Sequence, residues 1–290
     1  MPRLDSRPRL QGDSEILKGT LDGVMNRIKS ALGEEVEPPK VQAGPVQTHG
    51  VPKAGTLPRI TNQAEFEAFV SKLTCTVQYG TVTEDGLAKD PVGVPRQIFT
   101  FQGIVFRSDN RKPNDDTLTD GFLSQHELED ADGNPNEANL MEAMGLGVLG
   151  KGEDGKDKSI SLGATGWSGV SAAKDPGNAI SYLNSGGTFY VIDTTKLPHD
   201  PQAPMKYKAW DIAEIFDANE FYNEAPNRPG LEVNVSRAPR SAIVGWVTIP
   251  FWANIEDRST VEEKMRLFQA MLSRGPSSGV TIQFNPEYAA

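Results

Sequence analysis

The sequence passes from an apolar run to a polar one within the stretch QIFTFQGIVFRSDNRKP, residues 97–113. Its first ten residues are rich in β-branched and aromatic side chains, which predicts a buried strand over 97–106. The polar residues that follow predict a turn, with Arg107 at the last position of the strand. A guanidinium held there is suited to bidentate binding of a phosphate or a carboxylate. The alternative is an ion pair of Arg107 with Asp109 or Asp115 that fixes the turn.

Length and composition limit the classes of protein that fit the sequence. A chain of 290 residues, of which 37% are hydrophobic, can bury one sizeable core and carry an additional segment. The net charge of −10 argues against a general binder of nucleic acid or of anionic membranes, because both functions need a basic surface. The lone cysteine, Cys75, and three histidines without ligand spacing predict neither disulfides nor a metal centre. We therefore expect no metal, no nucleic-acid partner and no membrane partner.

Membrane insertion and export leave recognisable patterns in a sequence. The chain has no apolar run of about 18 residues, which a membrane-spanning helix needs. Residues 1–10 alternate charged residues with proline, where a conventional signal peptide has an apolar centre. We therefore expect a protein that works in a cytosol.

Residues 1–58 are expected to form a leader that is separate from the body, residues 59–290. Apolar residues at helical spacing between Asp13 and Gly33 predict one amphipathic helix. The residues from 34 to 58 are rich in proline and glycine, which is typical of a linker. One amphipathic helix cannot build a core, so we expect the leader to dock on the body, on a chaperone or on another chain.

Several elements of the body are predicted from local patterns. Asn62 is expected to cap a first helix, in a capping box with the glutamate three residues later. The stretch GWSGVSAAKDP at 166–176 predicts a strand that ends at Ser171, followed by a helix with Asp175 as its N-cap. The aromatic and β-branched run TFYVID at 188–193 predicts the next strand.

A third informative stretch is LEVNVSRAPRSAIVGW, residues 231–246. Its alternating first part and apolar second part predict two strands joined at a proline, with Glu232 at the start of the first. Taken alone, Glu232 fits a solvated glutamate at a strand end. Ser171, taken alone, fits an ordinary serine in a strand-end turn.

Together, the three stretches resemble the mono-ADP-ribosyltransferase toxins of the cholera and pertussis type, in particular the heat-labile enterotoxin group. These enzymes carry an aromatic-Arg-x-Asp-Ser-Arg-x-Pro string at the end of their first catalytic strand, and Phe106 to Pro113 matches it apart from the serine, with Gly121-Phe122 following. Ser171 matches the first serine of the family's Ser-Thr-Ser strand. Glu232 matches the glutamate that opens a Glu-Val unit before an Ile-x-Gly-Trp strand. The resemblance covers roughly residues 95–250.

The resemblance implies an α+β fold of the ADP-ribosyltransferase type, with two small, mainly antiparallel sheets around an NAD cleft and flanking helices. It implies NAD as the substrate and no metal. Glu232 would be the catalytic carboxylate at the ribose 2′-hydroxyl, Ser171 would hydrogen-bond that carboxylate, and Arg107 would bind the pyrophosphate or the adjoining ribose. Asp109 and Arg111 would complete the NAD-binding set.

Three further positions depart from the family pattern. Ala172 and Ala173 replace the later hydroxyls of the serine triplet, and Gly230 stands where arginine-modifying members carry a glutamate or a glutamine. The resemblance implies that the loop at 217–229 is the acceptor-recognition loop, and the alternative is a packed surface loop. Three functions remain open: transfer of ADP-ribose to a target, hydrolysis of NAD by a glycohydrolase, and protein binding by a catalytically inactive relative.

The resemblance also implies a biological setting. Such a toxin or effector would be secreted or injected without a conventional signal peptide and would act in the cytosol of the target cell. Its partners would be NAD and a target protein of a host or competitor cell. Through the leader it would contact a chaperone, a secretion apparatus or an immunity protein.

Overall fold

The computed structural model describes residues 56–89, 95–113, 118–123, 170–201, 205–211 and 232–288. The chain divides into two units, Met1–Gly50 and Val51–Ala290, and every described residue belongs to the second. The predicted leader helix, the loop at 217–229 and Gly230 lie outside the described residues. Within those residues, no helix is long and apolar enough to cross a membrane.

Ten strands and three α-helices are defined in the described part of the chain. The strands are β1 (Tyr79–Lys89), β2 (Pro95–Asp109), β3 (Phe122–Leu123), β4 (Val170–Ala173), β5 (Thr188–Asp193), β6 (Ala209–Asp211), β7 (Glu232–Val235), β8 (Arg237–Ala238), β9 (Ile243–Thr248) and β10 (Thr281–Phe284). The helices are α1 (Gln63–Val70), α2 (Pro176–Ser181) and α3 (Val261–Arg274).

The main sheet is organised around β2. This strand of 15 residues pairs with β1 along its first part and with β5 along its last part, and it meets β6 at Thr100 and β4 at Phe106. The order of the main sheet is β10-β9-β5-β2-β4-β7-β6, with β1 beside β2, and β3 pairs separately with β8. All these pairings are antiparallel.

The prediction of a mixed α+β protein with mainly antiparallel strands is therefore confirmed at that level. The strands are distributed differently from the two small sheets that we expected. Among the described residues they form one sheet of eight strands and one of two. The reason is the length of β2, which pairs with different neighbours along its two halves and so joins strands that a shorter β2 would leave apart.

Two helix starts occur where the sequence predicted them. The side chain of Asn62 accepts a hydrogen bond from the backbone N–H of Glu65 at the start of α1. The reciprocal half of the predicted capping box differs, because the Glu65 carboxylate accepts hydrogen bonds from the backbone N–H and the hydroxyl of Thr61. The carboxylate of Asp175 accepts a hydrogen bond of 2.7 Å from the backbone N–H of Asn178 at the start of α2. Both contacts satisfy N–H groups that have no partner inside the first turn of a helix.

Two strand ends differ from the prediction. β2 does not end at Arg107 but continues to Asp109, because β5 pairs with it as far as the position of Thr188. β4 does not end at Ser171 but continues to Ala173, because β7 pairs with it that far. In both cases a partner strand holds residues beyond the predicted end in the ladder.

Apolar clusters cover the two faces of the main sheet, and alternate residues of one strand enter different clusters. On β2, Ile104 and Phe106 pack with the helices, whereas Val105 packs in the other cluster. On β4 and β7, Ala172 and Val233 belong to that second cluster. Because successive side chains of a strand point to opposite faces, the neighbours of these residues project to the first face.

Candidate active site

The pairing of β4 with β7 brings Ser171 and Glu232 together. Ser171 lies opposite Asn234 and Glu232 lies opposite Ala173, so Ser171 and Glu232 are diagonal neighbours on the same face of the sheet. The Ser171 hydroxyl Oγ donates a hydrogen bond of 2.7 Å to Glu232 Oε1. Both residues are half-buried. The hydroxyl therefore restricts the orientation of a carboxylate that solvent still reaches.

Arg107 attaches β2 to the same part of β4. Its Nη1 donates a hydrogen bond to the backbone carbonyl of Ser171. The backbone pairing of these strands is at Phe106 and Ala173, so the guanidinium adds a second link at Ser171, two residues before Ala173 in β4. Because this bond uses the carbonyl, it leaves the Ser171 hydroxyl free to orient Glu232.

Asp109 lies between two arginines. Its Oδ2 accepts hydrogen bonds from Arg107 Nε at 3.0 Å and from Arg111 Nη2 at 2.7 Å, and its Oδ1 accepts one from Arg111 Nε at 3.0 Å. Burial alone would raise the pKa of Asp109, but hydrogen bonds from Arg111 and the charge of Arg107 outweigh it and lower the pKa from 3.8 to about 2. Burial lowers the pKa of Arg107, which nevertheless stays protonated as arginine does in proteins. Two cations and one anion leave this group with a net positive charge.

The ring of Phe122 supports both arginines. The guanidinium carbons of Arg107 and Arg111 lie 5.4 Å and 5.1 Å from the centre of the Phe122 ring, within the range of cation–π contacts. Gly121, the residue before it, has a φ of +91°, and a Cβ there would lie 2.2 Å from the carbonyl oxygen of Ala238. Only glycine fits that conformation at such a close approach, so Gly121 sets the position of Phe122.

Tyr190 fixes the turn that follows β2. Its hydroxyl donates a hydrogen bond of 2.8 Å to the carbonyl of Arg111. Its ring meets Phe122 edge-on, with 4.9 Å between the ring centres. Sequence reasoning missed this role, because the aromatic run at 188–193 predicted only a buried strand.

The structure thus brings together the site residues that the sequence predicted. Arg107 contacts Ser171, Ser171 contacts Glu232, and Asp109 and Arg111 adjoin Arg107. The ion pair between Arg107 and Asp109, which was the alternative use of this arginine, is also present, at 2.8 Å from Nη2 to Oδ2. Asp115 lies outside the described residues. The roles of these side chains toward NAD are not tested by these contacts and stay a prediction.

No family model matches the chain, and no curated protein has a significantly similar sequence. Over the ranges that the structure describes, no three histidine, cysteine or acidic side chains come together in a group that could hold a metal ion.

Proposed function

We propose that this protein is a mono-ADP-ribosyltransferase that cleaves NAD at the bond between nicotinamide and ribose and transfers ADP-ribose to a target protein. The observation that carries the proposal is the chain of contacts from Arg107 to the Ser171 carbonyl and from the Ser171 hydroxyl to Glu232. The first contact holds a strand, and the second orients a carboxylate. Together they connect one cation, Arg107, to one anion, Glu232, through Ser171.

The chemistry follows from the charge that develops during bond cleavage. The electron pair of the carbon–nitrogen bond leaves with nicotinamide, which becomes neutral, and positive charge develops on the ribose as in glycoside hydrolysis. Glu232, held at the ribose 2′-hydroxyl, would stabilise this charge more in the transition state than in the ground state. A nucleophile of the target then forms a bond to the ribose carbon and loses its proton to solvent.

Binding of NAD is assigned to the positive group around Asp109. A guanidinium has five N–H donors, and the contacts of Arg107 with Asp109 and with the Ser171 carbonyl occupy three of them. The other donors would bind the pyrophosphate or the adjoining ribose, and Arg111 would add a second cation. In this proposal the fold is of the ADP-ribosyltransferase type, and the NAD cleft opens beside β4 and β7.

The acceptor is proposed to be a protein of a host or competitor cell. Gly230 replaces the acidic or amide side chain that orients a guanidinium nucleophile in arginine-modifying members of the family that the sequence resembles. We therefore expect the modified residue not to be arginine. The protein would reach the target-cell cytosol by secretion or injection, and the leader would contact a chaperone, a secretion apparatus or an immunity protein.

Incubation with labelled NAD and cell lysates tests the proposal. Label on protein, with nicotinamide released in equal amount, supports transfer, and mass spectrometry of the labelled protein then gives the acceptor residue. Modification confined to arginine would contradict the expectation from Gly230. Label found only in free ADP-ribose would identify an NAD glycohydrolase instead. No turnover with lysates of any origin would refute the enzymatic function and favour an inactive relative that acts by protein binding.

A further inference from the structure

A buried ion pair lies beside the proposed active site. Lys174 Nζ contacts Asp211 Oδ1 at 3.0 Å and Asp211 Oδ2 at 2.8 Å. The side chain of Lys174 is 5% exposed and that of Asp211 is 0% exposed. Removing two charges from water is costly, and a buried pair adds little or no stability over apolar residues of similar size. Stability alone therefore does not explain this pair.

The position of the pair relative to β7 is the second observation. Lys174 directly follows the last residue of β4, and Asp211 is the last residue of β6. β7 lies between those two strands, and its first two residues, Glu232 and Val233, lie opposite Ala173 and Asp211. The ion pair thus joins β4 to β6 beside the first two residues of β7.

We infer that Lys174 and Asp211 are positioning residues for Glu232: by tying β4 to β6, they fix the backbone at the start of β7. The inference rests on the proposed function and deepens it. Ladders open most readily at strand ends, and Glu232 is the first residue of its strand. Ser171 restricts the side chain of Glu232, whereas the ion pair restricts the backbone that carries it.

Val233 shows on which face the pair acts. It lies opposite Asp211 and packs in the second apolar cluster, so its side chain and that of Glu232 project to opposite faces of the sheet. The ion pair therefore supports β7 from flanking strands without occupying the face on which Glu232 meets Ser171. It does not contact the reacting atoms, and its effect must pass through Glu232.

A second lysine–aspartate pair in the same region provides a matched control. Lys208 Nζ contacts Asp85 Oδ2 at 2.8 Å, and the two side chains are 28% and 30% exposed. Lys208 directly precedes β6, at the end of that strand opposite to Asp211. This pair has the same chemistry and joins the same strand region to β1, but it does not flank the start of β7.

The test compares two double variants of the full chain, Lys174→Met/Asp211→Leu and Lys208→Met/Asp85→Leu. Methionine and leucine approximate the sizes of the residues that they replace, so both variants should fold. We expect the first to lower kcat for NAD turnover about 10- to 100-fold, which is the usual effect of slight misplacement of a catalytic group, and to leave KM for NAD near the wild-type value. Backbone amide exchange over Glu232–Val235 should become faster in the same variant. The control variant should change none of these quantities.

Combination with Glu232→Gln separates positioning from a general structural role. If the pair acts through Glu232, the first double variant should lower kcat no further in a Glu232→Gln background. A further loss there, a raised KM, or wild-type kcat with unchanged amide exchange would each overturn the inference. Lys174→Met/Asp211→Asn, which also removes both charges but keeps the size of the aspartate, gives the same comparison should the first double variant not fold. Absence of NAD turnover in the wild-type chain would refute the proposed function, and amide exchange at β7 would still decide whether the pair positions Glu232.

Discussion

Replacement of Glu232 by glutamine is the sharpest test of the proposed site. The amide keeps the shape of the side chain and an oxygen that can accept the hydrogen bond from Ser171 Oγ, now 2.7 Å from Glu232 Oε1. What Glu232→Gln removes is the negative charge. If the carboxylate stabilises a developing cation, the loss should appear in kcat, and NAD affinity should stay nearly unchanged.

The size of the effect can be estimated for stability and for catalysis separately. A hydrogen bond to a charged acceptor contributes about 1.5–3 kcal/mol and a neutral one about 0.5–1.5 kcal/mol, so Glu232→Gln should lower the free energy of unfolding by about 1 kcal/mol. Loss of one well-placed electrostatic group in an active site lowers kcat about 100- to 1000-fold, which corresponds to about 3–4 kcal/mol. The kinetic loss therefore exceeds anything that the change in stability explains.

The assay is nicotinamide release at saturating NAD, with NAD affinity measured by calorimetry and folding checked by thermal unfolding. Glu256 offers a matched control, because Glu256 Oε2 accepts a hydrogen bond of 2.6 Å from the hydroxyl of Ser185. Glu256→Gln removes a carboxylate from the same kind of serine–glutamate contact and should leave kcat at the wild-type value. A folded Glu232→Gln protein with wild-type turnover would refute the assignment of the catalytic centre. Ser171→Ala should cost less than Glu232→Gln, and the two losses should not add.

Three further predictions concern the arginine group and the leader. Arg107→Ala should weaken NAD binding about 10- to 100-fold, and it should also lower kcat because Arg107 holds the Ser171 carbonyl. Arg107→Lys should restore neither quantity fully, since the planar fork of the guanidinium is lost. Unchanged NAD affinity by calorimetry in a folded Arg107→Ala protein would show that Arg107 only fixes the turn. Asp109→Asn should lower the free energy of unfolding at neutral pH by about 2 kcal/mol, because the folded pKa of Asp109 is below its unfolded value. That contribution is complete above the unfolded pKa of 3.8 and is lost as the pH falls through about 2. The free energies of unfolding of wild type and Asp109→Asn, measured with denaturant, should therefore differ at neutral pH and converge in acid. A difference that does not depend on pH would contradict this origin. A shortened chain that begins near Arg59 should keep NAD turnover per folded molecule, because the three informative stretches all follow residue 95. A folded but inactive product would show that the domain boundary is wrong.

Local signals in the sequence predicted the local structure. The caps at Asn62 and Asp175 depend on contacts within four residues, and both occur as predicted. The strand at 188–193 was predicted from composition and is fully buried. The ends of β2 and β4 were predicted too early, because a partner strand that is distant in sequence decides where a ladder stops.

The sequence predicted those residues of the candidate site that belong to recognisable motifs. Arg107, Ser171 and Glu232 were chosen from three separate stretches, and the structure joins them by hydrogen bonds. Neither Lys174 nor Asp211 was predicted, because their pairing depends on the order β4-β7-β6, which no local pattern encodes.

Ala172 and Ala173, the two alanines that depart from the family triplet, lie on opposite faces of the sheet. Ala172 is 5% exposed and packs with Val233 in the cluster on the far face of the sheet, so a hydroxyl at that position would not meet Glu232. Ala173 lies opposite Glu232 on β7, and directly opposite residues share a face of the sheet. A hydroxyl at Ala173 would therefore lie beside the carboxylate, where it could hold Glu232 as Ser171 does from the diagonal position. The case for a catalytically inactive relative accordingly depends on Ala173 and Gly230, whereas Ala172 removes nothing from the proposed site.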